Sequence, residues 1–141
     1  MKMSVHLNFS GNCAQAFAMY QKVFKTPAPF VMTYGEAPQG MPVPTDWKDK
    51  VMHTSIPLGE GRLMGCDVPP DRFKGGMGGF QISVELSDHA ELQRIFDALQ
   101  EGGSVQMPMM NTFWSPLFGM CTDKFGVAWM VGEPGEQPSQ A

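Results

Sequence analysis

"SVHLNFSGNCAQAFAMYQKVF", Ser4 to Phe24, and "FQISVELSDHAELQRIFDALQ", Phe80 to Gln100, are two copies of one design. In the first copy apolar and polar residues alternate through Phe9, the period of a half-buried strand. Asn12 then stands where a helix N-cap accepts an N-terminal N–H, with Gln15 three positions on. In the second copy Asp88 and Glu91 take those places. A shift of 76 pairs Ala16 with Leu92, Met19 with Ile95, Tyr20 with Phe96 and Val23 with Leu99, which is the i, i+3, i+4, i+7 face of a buried helix. After each helix come strand-like runs. The first half has "PFVMTYGE", "KVMHTSIPL" and "GRLMGCD"; the second has "SVQMPMMNTF", "LFGMCTD" and "GVAWMV". The turn "LGEGRL" predicts a hairpin, and the glycines of "QEGGSV" predict a left-handed end to the second helix.

Each half therefore reads as βαβββ, and the expected fold class is α+β. Two modules, about 1–67 and 79–132, stand in tandem in one domain over 1–132. A Pro/Gly-rich connector spans 68–78 and a flexible tail 133–141. A helix on one side of curved mixed sheets leaves the concave side open to a ligand. The irregular stretch Glu36 to Lys50 reads either as a surface loop or as a lid over that side.

Composition narrows the class. A chain of 141 residues at 43% hydrophobic buries roughly 70% of its unfolded surface, enough for a real core. The net charge of −4 is mild and the Lys and Arg residues are scattered, which excludes a phosphate-tracking nucleic-acid surface. No apolar run approaches the ~20 residues of a membrane span, and the first residues lack the pattern of a signal peptide. The chain reads as cytoplasmic, with no nucleic-acid or membrane partner. Cys13, Cys66 and Cys121 match no zinc or CxxC spacing, so they read as small, buried, reduced thiols. "GGMGG" at 75–79 follows no strand that opens into a helix, so it is a connector and not a dinucleotide loop.

The succession "HLNFSGNCAQAFAMYQKVF", "MHTSIPLGEGRLMGCD", "FQISVELSDHAELQRIFDAL" and "GGSVQMPMMNTFWSPLFGMCTDKFGVAWMV" resembles the PhnB-like branch of the glyoxalase/bleomycin-resistance/dioxygenase (vicinal oxygen chelate) superfamily. The resemblance runs from Met1 to Gly132, and "NTFW" followed by "TDKFGVAWMV" is its most specific part. It implies a homodimer. It also implies, in metal-using members, one His, Gln or Glu ligand from the first and last strand of each module. Those places fall on Ser4 or His6, on Met64, on Gln81 and on Met130. Two thioethers thus stand where two carboxylates are expected, and a soft neutral thioether is a poor partner for Mg²⁺, Mn²⁺ or Zn²⁺. No metal or other cofactor is expected; were a divalent metal bound, its ligands would be His6, His53 and Gln81. Sequences of this branch often carry the name of a demethylubiquinone methyltransferase. The chain has no Gly-rich strand-to-helix turn followed by the acidic residue that holds a nucleoside cofactor.

What remains is an apolar cavity for a small organic molecule. The residues expected to bind it are His6, Asn8, His53, Met64, Gln81, Glu85, Phe113, Trp114 and Met130, with Ser83 among them. Phe113 and Trp114 read equally as a pocket wall or as a hairpin tip in a subunit contact. No catalytic residue is assigned. Two functions stay open: a metal-free ligand-binding module, which the Met64/Met130 pair favours, and a metal-dependent lyase, isomerase, dioxygenase or thiol transferase.

Overall fold

The computed structural model describes residues 1–73 and 75–135. The part of the expected tail that lies at 136–141 is outside the described residues. The chain divides into two compact units, Met1–Gly76 and Met77–Ala141.

The first unit runs β1 (Val5–Phe9), α1 (Cys13–Phe24), β2 (Phe30–Thr33), a 3-10 turn (Tyr34–Glu36), β3 (Val51–Leu58) and β4 (Gly61–Asp67). The second runs β5 (Ile82–Glu85), α2 (His89–Gln100), β6 (Ser104–Met110), β7 (Phe118–Thr122) and β8 (Ala128–Gly132). Each sheet has four strands, in the orders β1-β4-β3-β2 and β5-β8-β7-β6. The first strand of each unit pairs parallel with the last, and the other pairings are antiparallel. This is the α+β, doubled βαβββ architecture. Cys13 to His89 and Phe24 to Gln100 are each 76 residues apart, so the two helices keep the sequence register at both ends.

One face of each sheet is covered by its helix. In the first unit Leu7, Phe9, Ile56 and Leu63 meet Ala16, Phe17, Tyr20 and Val23, all buried. Phe17 lies so close to β4 that a Cβ on Gly65 would stand 2.7 Å from its ring. Only glycine fits there, and the ring gains a burial worth about 1.5–3 kcal/mol. In the second unit Leu92, Ile95, Phe96 and Leu99 of α2 are buried along with Trp129 and Val131 of β8.

The two helix starts differ from the expectation in one respect. Asp88 caps α2 as expected, its Oδ1 accepting from Glu91 N at 3.1 Å. Asn12 holds the N-cap position of α1 but makes no side-chain cap hydrogen bond. The reason lies 55 residues further on. Asp67, at the end of β4, accepts from Gly11 N (2.9 Å) and Cys13 N (3.0 Å) through Oδ1, and from Val51 N (2.9 Å) through Oδ2. A full negative charge at the positive end of the helix outcompetes a neutral amide.

The stretch between β2 and β3 is anchored at its far end. Trp47 is buried, its ring centroid 6.4 Å from that of Tyr34, and Lys50 Nζ donates to Gly11 O at 3.0 Å. In the second unit the β7–β8 turn is closed by Asp123. Its Oδ1 accepts from Phe125 N and Val127 N, and its Oδ2 from the indole N–H of Trp129 at 2.9 Å.

Alanine at Asn12 is expected to change stability by no more than a few tenths of a kcal/mol, at Asp88 by about 1 kcal/mol. Asp67→Ala, which strands two or more N–H donors, should cost about 3 kcal/mol or more. Urea unfolding of the three variants measures this order. Equal losses at Asn12 and Asp67 would contradict the long-range cap.

Candidate functional site

Strand alternation sends Leu7 and Phe9 to the helix, and so His6 and Asn8 to the opposite face of the first sheet. In register, His6 lies beside Met64, Asn8 beside Cys66, Ser55 beside Met64 and Met32 beside His53. His6 Nε2 lies 3.4 Å from Cys66 Sγ, and the Cys66 thiol donates to Asn8 Oδ1 at 3.4 Å. The His6 and His53 rings stack with centroids 6.3 Å apart, and His53 lies 6.1 Å from the Phe30 ring. Partial burial, and then the neighbouring His53, push the His6 pKa below its usual value. Burial, and then the Asp67 charge, push the Cys66 thiol up. At neutral pH this face sets an uncharged imidazole, a thiol, an amide and a thioether together beside His53, with the Arg62 guanidinium donating to Ser55 Oγ at 2.6 Å.

That donor set does not fit the divalent metal that the resemblance implies. Its place on β4 is held by the Met64 thioether, whose cross-strand partners are His6 and Ser55 and not carboxylates, and the thiol resists becoming the thiolate a metal would need. Among the described residues no three His, Cys, Asp or Glu side chains are grouped to hold an ion.

The second unit holds the other half of the expected residues. On its open face Ser83 lies beside Met130, Glu85 beside Gly132, Met120 beside Met130 and Met107 beside Met120. A pocket of about 470 Å³ opens there, lined by Ser83, Glu85, Met107, Trp114, Phe118, Met120 and Met130, and by the segment Gly132 to Gly135. Trp114 and Phe118 meet nearly at right angles, 75° with centroids 5.4 Å apart. The loop carrying Trp114 is built, not slack. Ser115 N donates to Thr112 Oγ1, the Ser115 hydroxyl donates to Glu133 O at 2.6 Å, and Glu133 N donates to Leu117 O at 2.9 Å. A Cβ on Gly135 would collide with Trp114 O at 1.6 Å, so the segment after β8 lies hard against this loop. Glu133 Oε2 meets His89 Nε2, exposed in the first turn of α2, at 2.5 Å.

The structure thus brings His6, Asn8, His53 and Met64 together on one sheet, and Glu85, Trp114 and Met130 together in the pocket of the other. Gln81 precedes β5, its amide 3.6 Å from Met120 Sδ, and lines a separate depression with Phe80 and Gln106. Phe113 is 97% exposed and packs only its edge on Trp114, centroids 4.7 Å apart. Sequence reasoning missed Cys66, Met107, Phe118, Met120 and Glu133. Alternation signals Cys66, two residues after Met64, and links Phe118 to Met120; Glu133 follows the last strand and has no periodic signal.

A chain of two βαβββ units, each a helix on a mixed four-stranded sheet, has the glyoxalase/bleomycin resistance/dioxygenase fold. A family enzyme of that description from Burkholderia phytofirmans PsJN aligns over 93% of this chain and 96% of its own, with a TM-score of 0.62 and 12% identity. Within that fold the chain belongs to the PhnB-like family described as 3-demethylubiquinone-9 3-methyltransferase, whose model matches residues 1–132. It is 31% identical to Protein YjdN of Escherichia coli K12, over 99% of this chain and all of that protein. It is 42% identical to protein PA1353 of Pseudomonas aeruginosa, with a TM-score of 0.85 over 96% of this chain and 99% of that one. A putative 3-demethylubiquinone-9 3-methyltransferase, PhnB protein, from Bacillus cereus shares the fold at 23% identity, TM-score 0.74, over 94% and 99%.

The family's description implies a methyl donor. Donors carried on a nucleoside are held in doubly wound α/β folds by a strand-to-helix turn with free N–H groups. Here the β1–α1 turn commits its Gly11 and Cys13 N–H groups to Asp67, and the α2 start commits Glu91 N to Asp88. Neither turn fits that group.

Met64→Glu would set a carboxylate beside His6, on the face that His53 shares. Calorimetric titration should show Ni²⁺ or Zn²⁺ binding at least tenfold tighter in the variant than in the wild type. A folded variant as indifferent to metal as the wild type would show that position 64 and the two histidines do not converge.

Proposed function

We propose that this PhnB-like protein binds a small organic molecule with an aromatic or apolar part in the pocket of its second unit, without a tightly bound metal. The observation that carries the reading is the lining: two aromatic rings and three methionines around a volume of about 470 Å³, with Ser83 and Glu85 as the polar groups on β5. Pockets of this size bury most of a small ligand and use a few polar groups to orient it. Flexible thioethers let the walls adapt to ligand shape. The absence of any anionic ligand at positions 64 and 130 favours binding over metal-assisted chemistry. Three thiols without disulfide partners accord with a reducing compartment, and no described helix is long and apolar enough to cross a membrane.

Titration with a neutral aromatic such as 2-naphthol, followed by indole N–H chemical shifts, tests the reading. Saturable shifts of Trp114 are expected, and Trp114→Ala should weaken binding at least tenfold with an unchanged urea midpoint. Equal binding by Trp114→Ala would remove the pocket from the argument.

The same chain is proposed to form a homodimer. Phe30 and Val31 on the edge strand β2, Val105 and Met110 on the edge strand β6, and Phe113 at a loop tip are all exposed. Apolar edges of this kind are normally covered. Light scattering at micromolar concentration should give twice the chain mass of 15.5 kDa; a monomer mass would refute the dimer.

A further inference from the structure

We infer that the pocket of the second unit selects organic cations, a protonated or quaternary amine carried on an aromatic or apolar body. The inference rests on the ligand-binding reading above and adds the charge of the ligand to it. Three independent features of the lining agree.

The first is charge. Glu85 and Glu133 line the pocket, and no Lys, Arg or His does. Glu133 is engaged by His89, whereas Glu85, exposed at the end of β5, has no cationic partner among the described residues. A ligand anion would meet Glu85 as a like charge. A neutral ligand gains at most a hydrogen bond from that carboxylate, whereas a cation adds charge attraction to it.

The second feature is ring geometry. Trp114 and Phe118, both in the lining, meet edge to face at 75° with centroids 5.4 Å apart. An aromatic face carries the negative part of its quadrupole, and perpendicular faces around one volume are how proteins recognise quaternary ammonium groups. The third is the sulfur wall of Met107, Met120 and Met130, which is apolar, polarizable and uncharged. It accepts the body of the ligand and adds no positive potential to oppose its charge.

Three probes of one size separate the possibilities: benzyltrimethylammonium, its uncharged carbon isostere neopentylbenzene, and the anion phenylacetate. Affinities for the full chain are read from the Trp114 indole shift. The cation should bind at least tenfold tighter than the isostere, and phenylacetate weakest of the three. Glu85→Gln should weaken the cation about tenfold and leave the isostere within twofold. An isostere as tight as the cation, a tighter phenylacetate, or an undiminished cation preference in Glu85→Gln would each overturn the cation inference while leaving the ligand pocket standing. No saturable shift with any probe would overturn both. The wild-type probe series decides the matter even if the variant does not fold.

Discussion

The first unit depends on a single buried carboxylate. Asp67 is 1% exposed, and burying its charge would be prohibitive without partners. It has three N–H donors from two segments, and its own carbonyl accepts from the Tyr34 hydroxyl at 2.6 Å. The last residue of β4 therefore sets the start of α1, the start of β3 and the 3-10 turn after β2. Since β4 is also the parallel partner of β1, this one residue locks the crossover by which helix and sheet face each other. The second unit has no equivalent at that place. It caps α2 locally through Asp88, and uses its own buried carboxylate, Asp123, to close the β7–β8 turn and hold the Trp129 indole. The two units share a topology while differing in how they satisfy it.

That difference marks the boundary of what the sequence made legible. The helices and their starts were legible because their apolar face is a local pattern, and the 76-residue shift relates one to the other. The hairpin over Gly59 and Glu60 was equally legible, its Gly59 at φ +59°. Asn12 was misread because its position is that of a cap, and nothing nearby in the chain announces a competitor 55 residues away. The first-strand site was ambiguous between Ser4 and His6 for a related reason. The strands are offset from the helices by one residue: His6 faces Met64 as Ser83 faces Met130, a shift of 77 where the helices keep 76. Cross-strand register resolves this, and a sequence does not print it.

The open faces followed the same rule. Alternation put His6, Asn8, Ser83 and Glu85 on one side of their strands, and the structure brings each set together within its own unit. Gln81 lies just before β5 and meets the pocket only through Met120, its amide 3.6 Å from the Met120 sulfur. Phe113 and Trp114 are adjacent in sequence, yet only Trp114 lines the pocket; the turn built by Thr112 and Ser115 points the two rings differently. Met107 and Met120 belong to the pocket through the pairing of β6 with β7, a relation between strands and not within one.

Met64 and Met130 occupy matching places in their sheets. Each lies between its parallel partner, His6 or Ser83, and its antiparallel partner, Ser55 or Met120. The second unit's one unpaired pocket carboxylate, Glu85, stands two residues beyond Ser83, a pleat repeat of roughly 6.7 Å along the strand. A divalent metal cannot use a carboxylate so displaced, because its oxygen ligands must share a shell at about 2.0–2.6 Å. The organic cation proposed above suits that spacing better, because its charge is spread over several atoms. Under the proposed reading, a thioether at position 130 with the Glu85 charge one pleat away suits a diffuse charge better than a point charge.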